Sequence, residues 1–495
     1  MGLEIERTDF DDEDRRFFAQ RLDRSLEVLG RLLDQPGFGE GEPSLGAELE
    51  LSLVGDDDRP VHCNAEVLRE SVDPRLTVEL DRFNLEANLR HGPLAGRSLS
   101  HLISECNQCL AEIGRAAALH GARPAMIGIL PTLRRDELDH DALTDSLRYE
   151  ALSRALRALR DEPFQLDIHG DDDLRLECRD VTYEGAATSF QIHLRVSPRE
   201  FARVYDAIQL TTPATVALAA NSPTFLGRRL WHETRIALFK QAVDHRQERG
   251  RAGRPARVSF GAHWTRSPLD LFAEPVISHP PLLPVIDSED PEAALAAHRS
   301  PRLRELRLHQ GTVWRWNRAI YDPADGGHLR VEMRALPAGP TVQDMVANAA
   351  FQIGLALDAA AHGEEDDWRQ TTEFESVHSD FYRAAREGID VSIDWPRTLG
   401  GPGRAVPIRE LMPTLLSRAE SGLTRRGVDA SDASELLSII ERRAGSGQTG
   451  AAWQRETLAK AEATRPRQEA IAYMFHAYME CSYRGEPVDC WRDQS

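Results

Sequence analysis

The sequence predicts an α+β fold, and three observations predict it. Four separated segments alternate polar and apolar residues with the period of a strand. Amphipathic helical stretches lie between them, without the regular βαβ spacing of a doubly wound sheet. From Thr341 onward the pattern is almost wholly helical. Neither a GxxxxGK[ST] loop nor a GxGxxG turn occurs, so no P-loop or Rossmann cofactor site is signalled.

The elements follow in chain order. Residues 11–35 set Phe18, Leu22, Leu26, Leu29 and Leu33 at helical spacing among charges. A loop at 37–43 leads into the first alternating strand, residues 46–53. Side chains along a strand point to opposite faces in turn. Glu48, Glu50 and Ser52 therefore share one face, and Leu49, Leu51 and Leu53 face a core. Residues 56–60 read as a hairpin turn; the three acids there lack the glycine and terminal glutamate of an EF-hand. The second strand, 77–89, ends with Asn84, Glu86 and Asn88 on one face.

Residues 98–120 form an amphipathic helix. Its Cys106 and Cys109 have CxxC spacing but no second pair nearby, and read as helix cysteines rather than a zinc or redox site. A buried strand at 124–130 and a helix at 143–160 come next, then a strand pair at 164–168 and 174–181. The third alternating strand, 189–196, places Gln191, His193 and Arg195 on one face. Residues 198–218 are helical in several pieces. A basic loop spans 246–257, and 258–264 and 312–320 are further strands. Trp314 and Trp316 share a face of the latter, as packing residues. The fourth alternating strand, 328–335, sets Arg330, Glu332 and Arg334 together. The helical remainder is broken near 362–367, 396–407 and 445–450.

Bulk properties bound the function. The 495 residues suffice for two or three ordinary domains or one large enzyme domain, and 41% hydrophobic content suits a soluble protein. No run reaches the roughly 20 apolar residues of a membrane span. The acidic N-terminus, residues 1–7, has no signal-peptide core, which predicts a cytoplasmic protein. A net charge of −20 argues against nucleic-acid or acidic-membrane partners but leaves room for a small anionic substrate held by local arginines. Six cysteines in so long a chain suggest no disulfide framework.

If the four alternating strands share a sheet, their polar faces form one surface. It carries acids, amides, a histidine and arginines, with almost no Lys or Thr. Carboxylate oxygens beside guanidinium groups are what a metal–nucleotide site requires. Arg195 and Arg330 lie on those faces and are candidates to hold a substrate carboxylate. Gln191 is either substrate-facing or solvated, and His193 either a ligand or a satisfied structural histidine. Asp81 shares the face of Glu79. Trp231 to Arg235 includes His-Glu but no second histidine four residues on, which excludes a zincin motif.

The order of these motifs resembles the glutamate–cysteine ligase family, in particular its bacterial carboxylate–amine ligase branch. The resemblance lies in the Glu48-x-Glu50 strand, in Glu79 and Glu86 seven positions apart, in the His193 strand and in Glu332-Met333-Arg334. Asn221-Ser222-Pro223, followed by Gly227 and by Arg235 in a helix, resembles a further block. It covers roughly residues 44–360. It implies a curved, mainly antiparallel sheet forming a funnel or half-barrel with helices outside, related to the glutamine synthetase catalytic fold. The implied domains are 1–360, catalytic, and 361–495, helical and packed on the same unit. The implied activity is ATP- and Mg²⁺-dependent ligation of a glutamate-like carboxylate to an amine acceptor through an acyl phosphate, with a homo-oligomer allowed.

By the same resemblance, Glu48, Glu50, Glu79, Glu86, His193 and Glu332 match metal-ligand positions. Arg334 and Arg235 would neutralise the transferred phosphoryl group, and Asn221 is either a turn former or a nucleotide contact. The chain departs from the branch at Gly128-Ile129-Leu130-Pro131, where a histidine is expected before the proline. No cysteine-binding signature is visible either, so the acceptor pocket is expected to differ. Two alternatives use the same residues: a metal-dependent amide or phosphoester hydrolase, which needs no nucleotide, and a nucleotide-binding regulatory protein that has lost catalysis.

Overall fold

A computed structural model describes residues 5–160, 162–178, 180–246, 255–362 and 367–492. The strands, in chain order, are β1 (Ser44–Val54), β2 (Leu76–Val78), β3 (Asn84–Asn88), β4 (Gly92–Pro93), β5 (Arg123–Ala125), β6 (Phe164–His169), β7 (Asp173–Cys178), β8 (Phe190–Arg195), β9 (Thr224–Phe225), β10 (Arg228–Arg229), β11 (Asn317–Asp322), β12 (His328–Met333), β13 (Ser392–Ile393) and β14 (Val406–Pro407). The main sheet has eight strands. Its path is β11-β12-β8-β1-β3-β2, and the ends of β1 also pair with β4 and β5. Every pairing is antiparallel and the sheet does not close into a barrel. β6 and β7 form a separate hairpin.

β1 is the longest strand and sits between β8 and β3. Its leucines, Leu45, Leu49, Leu51 and Leu53, are buried at 2% exposure or less. They are the core face that alternation requires. Behind the sheet run two long helices, Pro198–Ala219 and Val342–Ala360, in contact with each other. From Val204 to Ala219 every residue of the first is buried, as are nearly all residues of the second. A helix covered on all sides belongs to the interior. The outer cover comes from Phe374–Glu387, Ile408–Arg425 and Ala430–Ser446. Val342–Ala360 and Ile408–Arg425 cross at Gly354 and Gly422, where a Cβ on Gly422 would lie 1.9 Å from the Gly354 carbonyl oxygen.

Several local expectations differ from the structure. Residues 198–219 are one continuous helix, although Pro213 interrupts its hydrogen bonding. The Thr212 hydroxyl donates to the Ile208 carbonyl at 2.7 Å, and burial on every side keeps the helix continuous through the proline. The single strand expected at 77–89 is two, folded back between Val78 and Asn84, so Glu79 stands in the turn. Residues 258–264 form no strand; a lone bridge joins Ser259 to Arg315, and Phe260 stacks on Phe381 at 4.5 Å. The strand expected at 312–320 starts only at Asn317, because Trp314 and Trp316 pack on Phe239 at 6.0 and 5.7 Å. Of 124–130 only the start is paired in the sheet. Most of the basic loop at 246–257, part of the break at 362–367 and the first four residues lie outside the described residues. Among the described residues no helix is long and apolar enough to cross a membrane.

Candidate active site

Register explains which side chains meet. Facing residues of an antiparallel pair share a face. Glu50 stands opposite Glu86 of β3, and Glu48 opposite both Gln191 of β8 and Asn88 of β3. His193 faces Gly46 on one side and Glu332 on the other, and Arg330 faces Arg195. Four strands thus deliver their polar residues to one surface. Gly46 has no side chain to fill the space beside His193, and it lines the cleft there.

Two ligand-bearing clusters result. Glu48, His193 and Glu332 form one, and Glu50, Glu79 and Glu86 the other; within each, one donor atom per residue lies within 4.8 Å of the rest. His193 Nε2 is 3.1 Å from Glu48 Oε1 and 3.8 Å from Glu332 Oε1. That nitrogen is buried between the two carboxylates. Arg330 Nε, 3.1 Å from Nδ1, orients the ring. A buried imidazole nitrogen between two carboxylates, next to a trio of carboxylates, is a donor set that fits hard divalent cations such as Mg²⁺.

The charges around these clusters are arranged unequally. Glu332 is gripped by Arg318, with Nε to Oε2 at 2.6 Å and Nη2 to Oε1 at 2.9 Å, and Arg334 Nη1 adds a contact at 3.1 Å. Burial alone would raise its pKa, but Arg318, Arg334 and His193 hold it well below the usual carboxylate range. Glu50 accepts from Ser189 N at 2.7 Å, Ser189 Oγ at 2.8 Å and Gln191 Nε2 at 2.6 Å. Burial, reinforced by Glu86 and opposed by Arg334, pushes it up to about 7. Burial and the charges of Glu86 and Glu50 raise Glu79 well above its ordinary value. Glu184, in the short helix Thr182–Gly185, is pushed up to about 8 by burial and then by Glu50. Without a cation, this end of the site strains to keep its carboxylates ionised together.

The other expected residues sort as follows. Gln191 is buried at 2% and bridges Glu50 to Arg334, whose Nη1 donates to Gln191 Oε1 at 2.5 Å, so it positions two charged groups. Glu79, not Asp81, joins the carboxylate trio; Asp81 is fully buried beside Gly185, where a Cβ would lie 2.6 Å from its carboxyl carbon. Arg235 is held by Glu233 Oε1 at 3.3 Å, by the Ala335 carbonyl at 3.2 Å and by the Arg334 carbonyl at 3.4 Å. Asn221 is set apart. It is fully buried, donates to the Ala338 carbonyl at 2.7 Å and to Tyr478 Oη at 2.8 Å, and accepts from Gln454 at 2.9 Å. It ties the C-terminal helices to the loop that follows β12.

Two cavities flank the clusters. A wider outer cleft, of about 210 Å³, adjoins Glu48 and His193 and is lined by Arg195, Arg330, His91 and His328. A narrow inner cavity adjoins Glu50 and Glu79 and is lined by Arg235, Arg334, Glu184 and Asn84.

Sequence reasoning missed Arg318, Ser189, Glu184 and Glu233. Arg318 had a signal: a hairpin turning about Asp325 pairs it with Glu332. Ser189 lies just outside β8 and in line with Gln191 and His193, so alternation also reaches it. Glu184 had none, since it comes from one helical turn without periodicity.

The family model for glutamate–cysteine ligase family 2 matches residues 44–474. No curated protein matches the chain. Among solved structures, the chain is similar to a glutamate–cysteine ligase from Francisella tularensis in complex with AMP. There the TM-score is 0.54 at 10% identity, over 91% of each chain. It is also similar to a bifunctional glutathione synthetase from Pasteurella multocida, with a TM-score of 0.52 at 12% identity, over 94% of this chain and 55% of that one. These likenesses establish a shared ligase fold. The family match spans both clusters and most of the helical cover, and the chain belongs to glutamate–cysteine ligase family 2.

Proposed function

We propose that the protein is an ATP- and Mg²⁺-dependent carboxylate–amine ligase that joins a glutamate-like acid to an amine through an acyl phosphate. The observation that carries this reading is the pair of clusters, Glu48–His193–Glu332 and Glu50–Glu79–Glu86, side by side on one sheet face with Arg334 against both. Bound there, Mg²⁺ would supply the positive charge that lets phosphate and carboxylate approach each other. Residues 44–360 carry this face, and the helices from 361 onward brace it.

The outer cleft is the larger cavity, and we assign the nucleoside triphosphate to it. Arg195 and Arg330 then face phosphate oxygens instead of the substrate carboxylate. The inner cavity takes the smaller reactants. A substrate carboxylate oxygen attacks the γ-phosphorus, the bond to the β-phosphate bridge breaks, and ADP leaves. Arg334 and Arg235 border the inner cavity and would neutralise the transferred group by their charge. The amine nitrogen then attacks the carbonyl carbon. The carbon–nitrogen bond forms, the bond to the phosphate oxygen breaks, and a proton leaves the nitrogen.

The test is ADP release from ATP and Mg²⁺ with glutamate and a panel of amines, repeated with Glu332→Gln. The expected result is release that needs both carboxylate and amine and falls at least a hundredfold in the variant. A protein that binds no ATP·Mg²⁺ refutes the ligase. Amide cleavage without nucleotide would show a hydrolase, and nucleotide binding without turnover would show a regulatory protein.

A further inference from the structure

We infer that β7 is a docking edge for a second copy of this chain: two β7 strands pair antiparallel about Leu176 and join their hairpins into one four-stranded sheet. This stands independently of the ligase reading. β6 and β7 form a two-stranded sheet of their own, so each strand has one outer edge. Such an edge presents its N–H and C=O groups to whatever lies beside it. The β6 edge is answered within the chain. Asp167 N donates to Gln241 Oε1 at 2.6 Å, and Gln241 Nε2 donates to the Asp167 carbonyl at 3.1 Å, so a side-chain amide pairs there as a strand would. Trp231 Nε1 donates to the His169 carbonyl at 2.8 Å.

The β7 edge is not answered in this way. Facing residues of an antiparallel pair turn their backbone groups either both toward each other or both outward. Asp167 turns outward to Gln241, so Arg175 opposite it turns outward on the other side, and so does Glu177 two residues on. The Glu177 carbonyl accepts one long hydrogen bond, from Arg135 Nη2 at 3.4 Å. The N–H and C=O of Arg175 and the N–H of Glu177 make no hydrogen bond among the described residues. The apolar row of the inner face also runs out here. Leu166 is 1% exposed, while Leu176 facing it on β7 is only half-buried.

The occupant that fits is a second copy, because β7 complements itself. With Leu176 on the two-fold axis, Arg175 stands opposite the second copy's Glu177, and Glu177 opposite its Arg175. Both residues carry outward backbone groups, so each such pair exchanges two hydrogen bonds. Their side chains meet on the exposed face as opposite charges, and the two leucines meet on the inner face. Within each hairpin Arg175 Nε already donates to Asp167 Oδ1 at 3.0 Å, and Gln165 Nε2 to Glu177 Oε1 at 3.1 Å, so the polar rows continue across all four strands. The neighbouring registers set Arg175 or Glu177 against its own copy, like charge against like. A contact in which both copies use the same surface closes at two.

The experiment is sedimentation equilibrium of the full chain from about 1 to 100 µM, the range in which a small interface associates. Wild type is compared with Arg175→Glu, with Glu177→Arg and with the two substitutions combined, each checked for folding by circular dichroism. We expect a concentration-dependent dimer in the wild type. Each single reversal turns two symmetry-related attractions into repulsions and should raise the Kd about tenfold or more. The combined variant exchanges the charges but keeps them opposite, and should return the Kd to within about threefold of wild type. Should a single variant not fold, Arg175→Pro takes its place, since it removes an outward N–H and no bond to β6. A wild type that stays monomeric throughout overturns the interface. So does a dimer indifferent to the single reversals, or a combined variant no tighter than they are.

Discussion

Replacing Arg318 by Met removes the bidentate partner of Glu332 while keeping most of the side-chain volume. The pair is buried, with side-chain exposures of 15% for Arg318 and 2% for Glu332. Breaking one side of a buried ion pair costs about 3–5 kcal/mol, because the other charge stays desolvated. Arg334 remains 3.1 Å from Glu332, which places the expected loss near the lower end, about 3 kcal/mol. The assay is urea unfolding of metal-free protein across pH. Glu332 has a folded pKa depressed below its ordinary 4.5, so its contribution is complete above that pH and is lost as pH falls further. The stability gap between wild type and Arg318→Met is therefore widest near neutral pH and narrows below about 4.5. Adding Glu332→Gln to the variant should recover part of the loss, since the orphaned charge is gone. A gap under about 1 kcal/mol at pH 7, or one that widens in acid, would refute the reasoning.

Three other perturbations test separate parts of the structure. Glu184 has a raised folded pKa, so metal-free protein should lose stability as pH rises from 4.5 to about 8. Glu184→Gln should flatten that slope by roughly 1–2 kcal/mol in chemical denaturation, allowing for the partial exposure of the side chain. Tyr478→Phe deletes a hydroxyl that donates to the Met126 carbonyl at 2.8 Å and accepts from Asn221 at 2.8 Å. It should cost about 1–3 kcal/mol of unfolding free energy, and an unchanged midpoint would mean the C-terminal latch is idle. Gly422→Ala puts a methyl 1.9 Å from the Gly354 carbonyl oxygen, so the two helices must part. A loss of about 3 kcal/mol is expected, visible as a lowered Tm, whereas wild-type stability would show that the crossing relaxes freely.

The alternating strands were legible because a strand sends every second side chain to the same face. Glu48, Glu50, Glu86, His193, Glu332 and Arg334 could be named from that rule and from motif order, and the structure brings them together. Residues outside such periodicity were not. Glu184 reaches the inner cavity from a single helical turn, and Glu233 acts through Arg235 from the start of the helix Thr234–Ala242. Asn221 stands in a family block, and the sequence left it either a turn former or a nucleotide contact. Its amide is engaged by Ala338, Tyr478 and Gln454, partners 117 to 257 positions away that no local pattern names. The helix through Pro213 was misread because local propensity counts the missing hydrogen bond but not the burial that outweighs it.

By itself, the sequence determined the mixed architecture, the strand faces and most of the acidic set, since these follow from the period of side chains along a backbone. Only tertiary structure decided how those acids divide into two clusters, because that depends on which strands become neighbours. It also decided that Arg318 clamps Glu332 and that Gln191 bridges Glu50 to Arg334. Hydrogen bonds and ion pairs depend on distances of a few ångströms between residues far apart in the chain, and no local pattern encodes those distances.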